Sequence, residues 1–386
     1  MRLFTSCNSL IFSPRQFIII SGDIMNKKII SILITLCLMI LITGCSDKVD
    51  TAHVESSNKG VSTEKLISIG FSQLGAESDW RSANSKSMRE AFSEENGYRL
   101  YFEDGQQKQS NQIMAIRTFI QQEVDYIILA PVTETGWDTV LQEAKDAGIP
   151  VIIVDRMVDV ADESLFTCFV GSDFHLESQK VCKWLNDYLV TMGVSSSDVH
   201  IAGIQGNLGA TAQIERSAGL VEACESYGWD LLDQVPADFT QVKGKEVMES
   251  FLKKYPNLNV VYCENDNEAF GAIEAIEAAG KTVGSDIYNG EIMVLSFDGV
   301  NSAALDLVIS NKISCIGECN PLHGPRVADV ISVIEAGQTP QKLQFVSEDI
   351  YVHDDAVQIF TVDGRKYDAK KMTRDLANTK AQQFGN

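Results

Sequence analysis

From residue 66 onward the chain alternates short β-branched runs with longer amphipathic stretches, and it does so in two successive series. The first series predicts strands over 66–72, 99–103, 126–130, 151–155 and 168–171; the second predicts them over 199–205, 260–264, 292–298 and 313–318. Between them lie helical periods such as Ile113, Ile116, Phe119 and Ile120, or Ile273, Ile276 and Ala279. Helix stops follow at Ala147-Gly148-Ile149-Pro150 and Ala279-Gly280. A strand that is always followed by a helix can only return parallel to itself, so the pattern dictates an α/β, doubly wound parallel sheet. Nine strands exceed one common open sheet, and each series forms its own half. Two Rossmann-like lobes are therefore expected, with ligands meeting the loops that leave the carboxyl ends of the strands.

The segment ahead of this region has a different character. From Met25 the chain reads MNKKIISILITLCLMILITGC, with Lys27 and Lys28 preceding an apolar run that ends in Gly44-Cys45. The run is short for a spanning helix, which needs roughly 20 apolar residues. The small-residue-Cys ending resembles a bacterial lipobox. Residues 25–44 are thus expected to be a lipoprotein signal peptide, and Cys45 the lipidated residue that anchors the chain to the extracytoplasmic face of the cell membrane. Met25 is expected to be the true start, with 1–24 upstream of it. Residues 45–63 are polar and aperiodic, and read as a flexible tether. No cofactor motif is present.

The formal net charge is −21, and the part before Cys45 holds four Lys or Arg against one Asp, so the remainder is more acidic still. Such a surface repels phosphate backbones and argues against a nucleic-acid partner. Six cysteines follow the tether: Cys168, Cys182, Cys224, Cys263, Cys315 and Cys319. Export invites a disulfide reading. Five of the six fall inside apolar strand or helix patterns, however, and buried free thiols are expected. No Cys/His spacing fits a zinc site, and no metal is expected.

The strand ends carry the polar and aromatic residues. After the first strand, Gly70 and Gly75 have phosphate-loop spacing, but Ala76-Glu77 stands where Lys-Ser/Thr would hold phosphate. Trp80-Arg81 beside Glu77 instead offers a ring face with charged hydrogen-bonding groups, the pair a sugar needs. The plainer alternative is a helix capped by Asp79 with Trp80 in the core. Asp155-Arg156 closes the fourth strand; its plainer reading is a surface ion pair. Gly203 to Gly209 lacks the order of a dinucleotide fingerprint. Further tips carry Asp238-Phe239-Thr240, Asn265-Asp266, Phe297-Asp298-Gly299 and Glu318-Cys319-Asn320. No catalytic serine elbow or HExxH is present, and His53, His175, His200, His323 and His353 are scattered.

The stretches IGFSQLGAESDWRSAN, DGQQKQSNQIMAIRTFIQQEVDYIILAPVTETGWDTVLQEAKDAGIPVIIVDR, GNLGATAQIER, DFTQVKGKEVMESF, ENDNEAFGAIEAIEAAG, SFDGV and GECNPLHGP resemble the periplasmic sugar-binding proteins of ribose/galactose type, and most nearly the galactofuranose-binding branch. That resemblance implies a periplasmic binding protein type I fold, two lobes joined by a three-segment hinge. The lobes would comprise 64–171 plus 319–346, and 172–318 plus 347–386. It also implies a non-enzymatic, monomeric solute-binding protein that delivers one monosaccharide to the permease of an ABC transporter. The implied sugar contacts are Glu77, Trp80, Arg81, Asp155, Arg156, Phe239, Asn265 and Asp298, with Glu318 and Asn320 contributing nearby. Ribose binders carry Arg where this chain has Ile214, with Arg216 two residues on, which argues against ribose itself. Gln241 follows Thr240 where the galactofuranose binders have Arg, so one contact of that loop differs.

Three alternatives share the fold. Repressor effector domains carry an N-terminal helix-turn-helix, which the lipobox and the acidity oppose. A sugar sensor would present its ligand to a two-component or chemotaxis receptor. An enzyme would need a nucleotide or nucleophile motif. The pocket itself is expected to suit a neutral aldose, with Glu77, Asp155 and Asp298 set against Arg81 and Arg156.

Overall fold

In the computed structural model residues 65–384 are described; the signal segment, Cys45 and the tether lie outside the described residues. All nine strands expected from the sequence form. Strands β1 (Ile67–Gln73), β2 (Tyr98–Asp104), β3 (Tyr126–Leu129), β4 (Val151–Val154) and β5 (Cys168–Gly171) alternate with helices α1 (Asp79–Ala91), α2 (Gln109–Gln121) and α3 (Asp138–Asp146). They pair in parallel in the order β5-β4-β3-β1-β2. β3 (YIIL) and β4 (VIIV) are buried at every position, as sheets covered by helices on both faces require.

The chain then passes through Ser172 and Asp173 into α4 (Phe174–Thr191) and builds a second sheet. Its strands are β6 (His200–Gln205), β7 (Asp230–Pro236), β8 (Val260–Cys263), β9 (Met293–Asp298) and β10 (Cys315–Glu318). The helices between them are α5 (Thr211–Tyr227), α6 (Gln241–Lys254), α7 (Asp266–Ala278) and α8 (Ser302–Ile309). These strands are parallel in the order β10-β9-β8-β6-β7. Residues 319–322 lead back to α9 (His323–Glu335), which packs Val327, Val330 and Ile331 into the first lobe's core. Strand β11 (Leu343–Phe345) then adds to β5. Residues 346–349 cross a third time, placing β12 (Ile350–Val352) antiparallel to β10. The hairpin β13 (Ile359–Val362) and β14 (Arg365–Lys371) extends that sheet, and α10 (Arg374–Phe384) follows.

Five strands escaped the pattern reading. β7 is an acidic edge strand, DLLDQVP, with no continuous apolar run. β11 and β12 are three residues each. The hairpin turn Asp363-Gly364 has φ of 47° and 76°, the Asp-Gly signature of a two-residue turn, which lies outside a parallel-strand pattern.

The three crossings meet at one carboxylate. Glu348 Oε1, on the third crossing, accepts from Ser172 Oγ of the first at 2.7 Å and from the backbone N–H of Asn320 of the second at 2.6 Å. Lys180 of α4 donates to the Glu348 carbonyl at 2.9 Å. All six cysteines of this region are free and buried, so the disulfide alternative is not realised.

Candidate functional site

Both sheets aim their carboxyl ends at the space between the lobes. Three residues there adopt left-handed backbone: Asp155 at φ 65°, Phe239 at 60° and Asp298 at 99°. For non-glycine residues this costs about 1–3 kcal/mol each and collects at functional sites. Ser78, rather than Asp79, caps α1 by accepting from Arg81 N–H. The Asp79 carboxylate instead accepts from Asn301 Nδ2 of the other lobe at 2.5 Å.

Between the lobes is a cavity with about 300 Å³ of space free of atoms, part of it open to solvent. Eight of the ten candidate residues line it together: Glu77, Trp80, Arg81, Asp155, Arg156, Phe239, Asn265 and Asp298. On the first lobe's wall, Arg81 donates from Nη2 to Asp155 at 2.5 Å and from Nε to Glu77 at 3.1 Å. Arg156 lies 3.4 Å from Glu77 and donates to the Val132 carbonyl at 3.1 Å. Both guanidiniums and both carboxylates are buried, so Asp155-Arg156 is no surface pair. Burial alone would push the Asp155 carboxyl up; the Arg81 and Arg156 charges more than offset it and hold it below the usual range. Arg81 Nη1 is buried without a hydrogen-bond partner, a donor left open on a cavity-lining side chain.

Trp80 donates from its indole N–H to the Cys319 carbonyl at 2.7 Å and meets His323 edge-on, ring centroids 5.5 Å apart. Across the cavity the Phe239 ring faces Arg156, whose guanidinium carbon lies 5.5 Å from its centroid. Gly206 makes room for that ring: a β-carbon there would fall on it. Asn265 caps α7, accepting from Glu268 N–H at 2.8 Å and donating to the Phe239 carbonyl at 3.2 Å.

Two candidates point elsewhere. Glu318 accepts from Tyr351 Oη at 2.8 Å and from Lys380 Nζ at 2.5 Å, away from the cavity. Asn320 accepts from Leu322 N–H at 3.0 Å and works in the crossing segment. A third correction concerns Arg216. Ile214 is exposed, whereas Arg216 is buried and lines the cavity, so the argument against ribose from Ile214 lapses. Arg216 donates from Nη2 to Glu177 at 2.8 Å and from Nη1 to the Glu264 carbonyl at 2.5 Å, and lies 3.7 Å from Asp298. Its guanidinium sits between the rings of Phe174 and Phe297. The signal was in the sequence: Ala212, Arg216, Leu220 and Ala223 form one helical stripe, and a lone Arg on an apolar stripe needs a partner. Phe174 carried no such signal. Burial pushes the Asp298 carboxyl up, against the pull of Arg216.

Behind this wall Glu177, Cys319 and Glu348 each offer a ligand atom within 4.8 Å of one another. The Arg216 guanidinium already supplies positive charge to that cluster. The lobes also touch around the cavity: Glu134 N–H donates to the Gly209 carbonyl at 3.1 Å and Met157 N–H to Thr211 Oγ1 at 2.8 Å. The cleft is closed.

Residues 69–318 match the periplasmic binding protein domain family. The chain belongs to that family. Its members are binding components rather than enzymes. It is 37% identical over 294 residues to the galactofuranose-binding protein of Escherichia coli K12, covering 75% of this chain and 89% of that one. Among solved structures it is similar to a Mycobacterium smegmatis protein in complex with β-D-fucofuranose (39% identity, TM-score 0.70, 75% and 93% of the two chains). It is also similar to the arabinose transporter component of Shewanella sp. ANA-3 bound to α- and β-L-arabinofuranose (37%, TM-score 0.71, 82% and 97%).

The buried Glu264 gives a pH test of this wall. Burial pushes its carboxyl up to about 8, against the Ser217 hydroxyl and Gly206 N–H that favour the charged form. A carboxyl raised on folding stabilises most below its unfolded value near 4.5, and that stability is lost as pH rises to about 8. Glu264→Gln should therefore match the parent in denaturant unfolding at pH 4.5 and exceed it at pH 8.5. Equal stability gaps at both pH values would show that folding does not raise the Glu264 pKa.

Proposed function

We propose that this chain is the extracytoplasmic solute-binding lipoprotein of an ABC sugar importer, holding one neutral furanose aldose, such as galactofuranose, between its lobes. The observation that carries this is charge balance. Arg81 and Arg156 are paired with Glu77 and Asp155 on one wall, and Arg216 with Glu177 and Asp298 on the other. The charged residues that line the cavity balance, Arg81, Arg156 and Arg216 against Glu77, Asp155 and Asp298, with Glu177 behind them. Such a lining suits a ligand with many hydroxyls and no charge, whereas a sugar phosphate would call for excess Arg or Lys. Trp80 and Phe239 add apolar ring surface for the C–H face of the sugar. The ligands named for the three relatives are all five-membered-ring sugars.

In this reading the lobes comprise 64–171 plus 319–346 and 172–318 plus 347–386, close as a hinge on the sugar, and hand it to the permease. Cys45 carries the lipid, and the chain acts as a monomer. Replacing Cys45 with Ala should release a soluble protein that still binds sugar; a processed variant that stays with the membrane fraction would contradict lipidation there.

Arg156→Ala removes charged hydrogen bonds worth roughly 1.5–3 kcal/mol each and leaves Asp155 with Arg81 alone. Affinity for the sugar should fall about tenfold to a hundredfold, at about 1.4 kcal/mol per tenfold. Trp80→Ala should cost a similar factor while the domain stays folded. A thermal-shift screen over pentoses and hexoses identifies the sugar, and calorimetry on both variants then decides: unchanged affinity in both would place the sugar elsewhere.

A further inference from the structure

Helix α10 belongs by its packing to the second lobe, yet its tip reaches the first. Met372, just before it, and Ala377 sit in the second lobe's core with Leu305, Val308 and Tyr351. Arg374 pairs with Asp306 of α8. Midway, Lys380 donates to Glu318 Oε1 at 2.5 Å, both side chains largely buried, and its ammonium lies 5.3 Å from the Tyr351 ring centroid. Glu318 is the last residue of β10, and its other oxygen accepts from Asp349 N–H at 3.1 Å on the third crossing. The helix is thus fixed to the second lobe exactly where the hinge begins, which explains the direction the Glu318 side chain takes.

Beyond that anchor, Phe384 is buried in a cluster with Trp80 and Ala83 of α1, on the opposite lobe, and with Val300 and Cys319. Asp79, Ser82, Ala83 and Lys86 of α1 line a shared recess with Asn301 and Phe384. Phe384 is absent from the lining of the sugar cavity, and it shares one buried apolar cluster with Trp80. A residue held by one lobe and buried against the other is buried only while the lobes are together, since opening the hinge separates α1 from the second lobe.

We propose that α10 is a clasp, and that Phe384 is a positioning residue that sets the closed population and steadies Trp80 without touching the sugar. This rests on the hinge-closing reading of the cleft. Apparent affinity scales with the population of the binding-competent state, so loss of the clasp is felt at a distance from the ligand. The apolar area between Phe384 and α1 is exposed on opening and therefore acts as a spring toward closure.

The test uses the full chain and the sugar recovered from the thermal-shift screen. Phe384→Ala should raise the dissociation rate by about tenfold or more and leave the association rate nearly unchanged. Phe384→Leu, which refills the cluster, should keep the dissociation rate close to that of the wild type. Lys380→Gln, which frees the helix from Glu318, should act in the same direction and serves if Phe384→Ala fails to fold. Small-angle scattering on the unliganded chain separates this idea from the identity of the ligand: the Ala variant should have the larger radius of gyration, whatever the wild type binds. Wild type that binds none of the sugars overturns the ligand reading and leaves the scattering result to judge the clasp. Equal radii with no change in sugar dissociation overturn the clasp and make α10 a structural cap.

Discussion

The energetic difficulty of this molecule is the burial of three guanidinium groups between two lobes. An isolated charge taken out of water costs many kcal/mol, so each of Arg81, Arg156 and Arg216 has to find carboxylates. Each finds them within its own lobe. Glu77 and Asp155 serve Arg81 and Arg156, while Glu177 and Asp298 serve Arg216. Among the described residues, none of the cavity's ion pairs crosses the cleft. The lobes can therefore part without leaving an unpaired buried charge on either wall. What faces the ligand is a lining whose three guanidiniums are balanced by Glu77, Asp155 and Asp298, which is the electrostatic match for a polyhydroxylated, uncharged molecule.

The same economy governs the hinge. Three crossings must bend together, and the Glu348 carboxylate holds two of them from its place on the third. Burial raises its pKa, as it does that of Glu177 alongside, so the hinge and the Arg216 wall share one electrostatic neighbourhood. A ligand that draws on Arg216 thereby acts on groups adjoining the crossings.

Much of the architecture was legible because parallel strands covered on both faces must be apolar throughout, as Tyr126–Leu129 and Val151–Val154 are. The tips were legible because a charged or aromatic residue at the end of such a strand has few structural reasons to be there. Three things were not legible. An edge strand such as Asp230–Pro236 is half exposed, so its composition resembles a loop. Arg216 was noted only as standing two residues beyond Ile214, and its place in the cavity wall was not read, although it is a lone charge on an apolar helical stripe. Glu318 sits at a strand tip like the others, yet its direction is decided by Lys380 and Tyr351, far along the chain. Only the folded chain brings those partners together.

Titration calorimetry of the chain with a neutral furanose and with the phosphate ester of the same sugar tests the central claim most directly. The charge-balanced cavity predicts binding of the neutral sugar at one molecule per chain, recovery of that sugar chemically unchanged, and binding of the phosphate weaker by about a hundredfold or more, since an unpaired buried charge costs several kcal/mol. Equal or tighter binding of the phosphate, or turnover of either sugar, would contradict it.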